Sequence, residues 1–179
     1  QATKTITVTK PSPTSITING SGFALAGGAT ITLSAIVNPS GVSQTVTWSV
    51  DKPLVATIDA STGVLTPLTS GTVVVTATST EKDTVKATKT IIVYNNLSYI
   101  VDDSLKSLTV GDVVKVGSNN YYFGYTAFAT LSDLNGKLAN GTYVDIKAGT
   151  YSTHLTVDKN DVQIKGNGTI TGIITVVSG

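Results

Sequence analysis

Residues 46–66 read VTWSVDKPLVATIDASTGVLT and hold the single tryptophan of the chain. Apolar side chains alternate with Thr, Ser and Asp, the two-residue period of a strand with one face buried. Lys52-Pro53 and Ser61-Thr62-Gly63 interrupt the alternation with turn-forming residues. Val46, Trp48 and Val50 share one face of the first strand. A lone tryptophan on the buried face of a sandwich strand fills ~200 Å² at the contact between two sheets. The competing reading is a stacking platform for a sugar ring. It needs two or three exposed aromatics, and this region offers only Phe23 besides. The stretch therefore reads as a core.

Working outward, Ile16–Ile18, Ile31–Ala35 and Val73–Ala77 carry the same alternation. Asn19-Gly20-Ser21-Gly22, Gly27-Gly28, Asn38-Pro39-Ser40-Gly41 and Ser70-Gly71 separate these runs. Many short strands at such spacing predict a sandwich or barrel. At 179 residues the chain is one large all-β domain or two small ones. Lys+Arg is 12 and Asp+Glu is 11, so the basic excess or stripe of a nucleic-acid binder is missing. The longest apolar run falls far short of the ~20 residues that span a bilayer, and no membrane insertion is expected. There is no cysteine, which excludes disulfides, thiolate zinc sites and cysteine nucleophiles together. With abundant Thr, Ser, Gly and Val, this composition points to an extracellular protein of the bacterial cell surface.

One internal repeat is visible. Residues 2–9, ATKTITVT, match residues 87–94, ATKTIIVY, at six of eight positions. The second copy sits where the first sandwich should end. Residues 1–10 are thus expected to be the last strand or linker of a preceding copy of the same module, 11–95 the sandwich, and 96–179 a different unit. On this reading the chain is a fragment of a tandem array.

Leu25-Ala26-Gly27-Gly28, Val37-Asn38-Pro39-Ser40, Val46–Val50, Val55-Ala56-Thr57-Ile58-Asp59, Thr62-Gly63-Val64-Leu65-Thr66 and Gly71–Ala77 follow one another with short gaps. In this order they resemble the bacterial immunoglobulin-like domain, group 2, over about residues 13–94. The resemblance implies an Ig-like β-sandwich used as a repeat in surface proteins, intimin- and invasin-type adhesins, S-layer proteins and some phage structural proteins. It brings no catalytic residues with it.

From Asn95 the pattern changes. Six of the seven tyrosines lie between 94 and 143, with Phe123 and Phe128, and Tyr151 follows. Helical spacing occurs at 125–139, where Phe128, Leu131, Leu134 and Leu138 fall on one face and Asn140-Gly141 ends the run. Beyond it, Val144/Ile146 and Val162/Ile164 repeat at 18 residues, and Leu155/Val157 and Ile174/Val176 at 19. Such returns describe a chain coiling on itself, each strand stacking on its equivalent one turn earlier. Gly141–Tyr151 and Val162–Gly166 resemble the opening coils of pectin-lyase-like right-handed parallel β-helix proteins, over about 120–179. A left-handed coil also fits the spacing, though without the hexapeptide pattern. The expected fold class is all-β: an Ig-like sandwich followed by the capped start of a parallel β-helix with one short helix.

Candidate sites are sparse. His154 is the single histidine, with Ser152 on the same strand face and Asp158 near, but an exposed histidine on a coil is the plainer reading. Asp158 and Asp161 beside Lys159 are the nearest analogue of a lyase's calcium-holding aspartates, yet Asp-Lys-Asn-Asp reads as a turn. Asp102-Asp103 supplies too few oxygens for calcium. No catalytic residue, cofactor or metal site is expected. Tyr121, Tyr122 and Tyr125, in Asn119-Asn120-Tyr121-Tyr122-Phe123-Gly124-Tyr125, form the best candidate for a ligand or partner surface, since Tyr and Asn suit adaptable, wet recognition. The alternative is that these aromatics cap the solenoid core.

The expectation is a non-enzymatic structural and adhesion module of a bacterial surface or secreted protein, an Ig-like spacer presenting a β-helix. Its expected partners are neighbouring Ig-like repeats and further coils of the parent chain, and a cell-surface polysaccharide or host protein. Two alternatives stand beside it: the N-terminal part of a β-helix polysaccharide lyase or hydrolase with catalytic coils beyond Gly179, and an S-layer or phage structural protein.

Overall fold

In the computed structural model, which describes residues 9–95 and 97–177, the chain divides into two compact units, 1–93 and 94–179. Of the strand or linker expected over residues 1–10, residues 1–8 lie outside the described residues.

The first unit contains β1 (Ser15–Asn19), β2 (Phe23–Leu25), β3 (Ile31–Thr32), β4 (Ser34–Asn38), β5 (Val46–Val50), β6 (Ala56–Ile58), β7 (Val64–Pro67), β8 (Gly71–Ser79) and β9 (Lys86–Tyr94). One sheet has the order β2-β9-β8-β5, a second β3-β7-β6, and β1 pairs with β4. The β1–β4, β3–β7, β6–β7, β5–β8 and β8–β9 ladders are antiparallel. Alternation sends Val73, Val75 and Ala77 of β8 inward to meet Leu33, Val37, Leu65, Ile91 and Trp48 in one core.

Trp48 is only 5% exposed, as its register with Val46 implies. The turn that follows is shaped around it. Asp59 Oδ1 accepts from the amides of Ser61 (3.0 Å) and Thr62 (2.8 Å) and from Thr62 Oγ1 (2.9 Å). These bonds hold the Asp59 carboxyl below the usual carboxylate range. Gly63 then adopts φ 72°, and a Cβ there would stand 2.9 Å from the indole. Both the backbone conformation and the space demand glycine.

The second unit contains β10 (Ser98–Val101), β11 (Val113–Val116), β12 (Asn119–Tyr122), β13 (Ala127–Phe128), β14 (Tyr143–Ile146), β15 (Thr150–Tyr151), β16 (Leu155–Val157), β17 (Gln163–Gly166), β18 (Thr169–Ile170) and β19 (Ile174–Val176). Its main sheet, in the order β13-β10-β14-β17, is parallel at every ladder. β15–β18 and β16–β19 are parallel too. The chain thus lays β14, β15 and β16 and returns to lay β17, β18 and β19 upon them in the same direction. Tyr99, Val101, Phe128, Val144, Ile146, Tyr151 and Leu155 fill the interior between these sheets.

Two expectations are corrected here. Leu155 and Val157 do stack on Ile174 and Val176, but Val144 stacks on Ile164, not Val162, and Ile146 on Gly166. The return at that sheet is therefore 20 residues, not 18. A slip of two residues keeps every side chain on its own face, so apolar alternation alone does not distinguish the registers. Glycine does: a Cβ at position 166 would collide with the Ile146 carbonyl, and Gly166 has φ 142°. The second correction concerns 125–139, which is not an α-helix. Ala127 and Phe128 pair with β10 as a strand, and only Ser132–Leu134 turns, as one 3-10 segment. Phe128, Leu131, Leu134 and Leu138 are nevertheless all buried in one core. Hydrogen bonds from Ile100 N to Thr126 O and from Asp102 N to Phe128 O offer this backbone more than an isolated helical turn would. Gly136 at φ 73° ends the 3-10 segment's surroundings before a helix could extend.

Side chains finish what the strands leave open. Asn135 Oδ1 accepts from Thr156 N at 2.8 Å and its Nδ2 donates to His154 O at 3.2 Å, so one carboxamide pairs with β16 as a neighbouring strand would. Gln44 does the same for β4, accepting from Val37 N and donating to Val37 O, both at 2.9 Å. The Tyr151 hydroxyl, pushed up in pKa by burial, lies 3.2 Å from both the Asp103 amide and Val101 O.

Candidate functional site

Strand alternation divides the main parallel sheet of the second unit into two faces. Tyr99, Val144 and Ile164 point into the interior, while Ser98, Ile100, Tyr143, Asp145, Gln163 and Lys165 point outward in the aligned sets Ser98/Tyr143/Gln163 and Ile100/Asp145/Lys165. Over β10 and β13 the outward face is roofed. The β11–β12 hairpin lays Val114, Val116 and Tyr121 on Ile100, Ala127 and Ala129 as a second, smaller core. Beyond the roof Tyr143 and Asp145 of β14 are half-buried and Gln163 and Lys165 of β17 exposed, with the hairpin as a wall beside them.

Polar and aromatic groups gather at this ledge. Lys147 Nζ meets Asp145 Oδ2 at 2.5 Å, both side chains about a third exposed. That bond, with the Tyr121 and Tyr143 hydroxyls in electrostatic reach, makes Lys147 a weaker acid than an ordinary lysine. Tyr121 Oη lies 3.3 Å from Ser98 Oγ at the foot of the wall. Lys165 Nζ stands 5.9 Å from the centre of the Tyr143 ring, within cation–π range. Tyr143, Asp145 and Lys147 are two residues apart on one edge of sequence, so the period that identified the strand also placed them together; sequence reading had noted only their apolar neighbours.

The expected tyrosine surface is split by the same alternation. Tyr121 is on the inner face of the hairpin and Tyr122 on the outer, opposite Val113, while Tyr125 sits in the turn that follows, its amide bonded to Tyr122 O. All three are half-buried. Ser152, His154, Asp158 and Asp161 are exposed, and Asp158–Asp161 is a turn in which Lys159 meets Asp158 at 3.1 Å. Asp102 caps the 3-10 segment Asp103–Ser107 by accepting from Ser104 N at 2.9 Å. Among the described residues no three His, Asp or Glu side chains gather as a metal site would require. No helix among them is long and apolar enough to cross a membrane.

Residues 12–91 match the family model of the bacterial Ig-like domain (group 2), which takes in β1 to β8 and most of β9. Comparison with curated proteins returned no match. Among solved structures the chain is similar to an intimin mutant of EHEC O157:H7, at 27% identity and a TM-score of 0.35 over 44% of this chain and 45% of that one. It is also similar to a C-terminal 282-residue fragment of intimin in complex with the intimin-binding domain of the translocated intimin receptor, at 26% identity and a TM-score of 0.34 over 46% of this chain and 29% of that one. The chain thus spans less than half the length of each.

Proposed function

We propose that this chain is a non-enzymatic structural and adhesion module of a bacterial surface protein, in which an Ig-like spacer carries the opening turns of a parallel β-helix that presents a binding face. The observation that carries the reading is the Ig-like match over 12–91, followed by a unit whose strands stack turn on turn in parallel. Stacked turns build an extended face from repeated backbone, and a rigid sandwich holds such a face at a distance from its anchor. Two of the acids weighed above for calcium have local partners: Asp102 accepts from Ser104 N, and Asp158 pairs with Lys159. Tyr121 and Tyr122, in the β11–β12 hairpin, and Tyr125, in the turn after it, border that face in this reading.

Incubation with pectin, alginate and peptidoglycan, with and without calcium, tests this reading. No turnover is expected. Reproducible cleavage that disappears in His154→Ala or Asp161→Ala would establish the polysaccharide-cleaving alternative in its place.

A further inference from the structure

We propose that the open end of the stacked turns, where β17, β18 and β19 have free edges, docks the same end of a second copy of this chain. Pairing of this kind goes beyond the adhesion reading and holds whatever ligand the binding face takes.

Position by position, the second turn repeats the first without its cover. Val144 lies on Ile164, Tyr151 on Ile170, Leu155 on Ile174 and Val157 on Val176. All four members of the first turn are buried, whereas Ile164, Ile170 and Ile174 are half-buried and Val176 is exposed. The contrast is largest in the last pair, 6% for Val157 against 74% for Val176. Backbone groups are open at the same residues. The amides of Gln163, Thr169, Thr171 and Val177 bond back to the turn before. In a parallel ladder a residue directs both its N–H and its C=O to one side, so Ile164, Ile170, Ile174 and Val176 direct theirs the other way. Among the described residues, β17, β18 and β19 have no strand on that side.

A free strand edge over half-open apolar side chains is matched by another strand edge over apolar side chains. A second copy turned through a two-fold axis supplies both, because its own end carries the same backbone edge and the same Ile and Val side chains. Antiparallel pairing across that axis keeps inward residues inward on both sides, so the two interiors join as one. Charge does not oppose the meeting of like with like. No charged residue occurs from Gly166 to Val177, and the Lys165 ammonium stands over the Tyr143 ring of the preceding turn. Edge strands that stay single are commonly guarded by Lys or Pro; β18 and β19 carry neither. The surface is confined to residues 162–177, fewer than the ~20–30 residues a side of a standard interface, so the dimer is weak and depends on concentration. The two-fold occupies both edges, and association stops at the dimer.

Sedimentation velocity of the whole chain from micromolar to millimolar concentration tests this, with amide hydrogen exchange followed over the same range. A monomer–dimer equilibrium is expected. Exchange at Ile164, Ile170, Ile174 and Val176 should slow as the dimer forms, while that of β8 in the sandwich stays unchanged. Val176→Lys places a charge at an already exposed position, so it should weaken the dimer about tenfold or more and leave the second unit folded. Val176→Pro removes an edge donor that no ladder uses and should weaken the dimer as well. Val113→Lys, on the outer face of the β11–β12 hairpin, should leave the dimer unchanged. A monomer throughout the range overturns the proposal. So does a dimer that Val176→Lys leaves intact, one that Val113→Lys abolishes, or assembly that continues past the dimer. Cleavage of a polysaccharide, by contrast, refutes the non-enzymatic reading and leaves this pairing in place.

Discussion

In the first unit the β1–β4, β3–β7, β6–β7, β5–β8 and β8–β9 ladders are antiparallel, short turns join β6 to β7 and β8 to β9, and one tryptophan plugs the core. In the second, β14 lies against a strand 20 residues further along the chain, β15 and β16 against strands 19 further along, and no short turn connects any of these pairs. Hairpin neighbours such as β6–β7 and β8–β9 inherit their register from the turn between them. Parallel neighbours need something else to fix it, and here that role falls to glycines pressed against carbonyls of the adjacent turn. A Cβ at Gly166 would strike the Ile146 carbonyl, and one at Gly172 the Thr153 carbonyl. The comparison teaches where each unit is vulnerable: the sandwich through the volume of its core, the stacked turns through single backbone positions.

The largest effect should come from emptying the sandwich core. Trp48→Ala is expected to cost ~3–5 kcal/mol, read by circular dichroism in denaturant, while hydrogen exchange in β14–β19 stays as in the parent chain. Loss of protection in both units would mean that they do not fold independently. Next, Gly166→Ala should destabilise the second unit by about 3 kcal/mol, through both a strained φ and the collision with Ile146. A cost as small as that of an exposed-loop glycine would contradict the 20-residue register. Asn135→Ala removes the carboxamide that serves β16 and should cost about 1–2 kcal/mol, with faster exchange of the Thr156 amide as its local signature.

The smallest effect is one of pH and belongs to the sandwich. The amides of Thr62 and Ser61 and the Thr62 hydroxyl hold the Asp59 pKa below its unfolded value. The stabilisation from Asp59 is therefore present above the unfolded pKa near ~3.9 and lost as pH falls through the lower folded value. Asp59→Asn should flatten the acid limb of the sandwich transition and leave that of the second unit unaltered.

The two units also differ in how far their sequences could be read. VTWSV and GTVVVTA declare buried faces by alternation, and Ser61, Thr62 and Gly63 form a turn in both sequence and structure, so the sandwich was legible down to the orientation of Trp48. In the second unit the parallel return was legible from Leu155/Val157 and Ile174/Val176. The register at β14 was not, because Val162 and Ile164 share a face and only the close approach at Gly166 separates them. The stretch around Leu131 and Leu134 misled for a related reason: helical spacing reported correctly which side chains are buried, while the backbone found its partners in β10. The strand period already placed Tyr143, Asp145 and Lys147 on one side; what the sequence did not show is that Gln163, Lys165 and Tyr121 of the hairpin stand beside them.

The stacking of one turn on another can be tested by a single cross-link, and the absence of native cysteine leaves no competing thiol. Thr156 and Thr175 are both exposed and directly aligned in the parallel β16–β19 ladder. With Thr156→Cys and Thr175→Cys combined, mild oxidation should close an intramolecular disulfide in the native chain. Pairing Thr156→Cys with Thr171→Cys, which is out of register, should leave both thiols free. Efficient closure of the second pair and not the first would contradict the parallel stacking on which this account of the second unit rests.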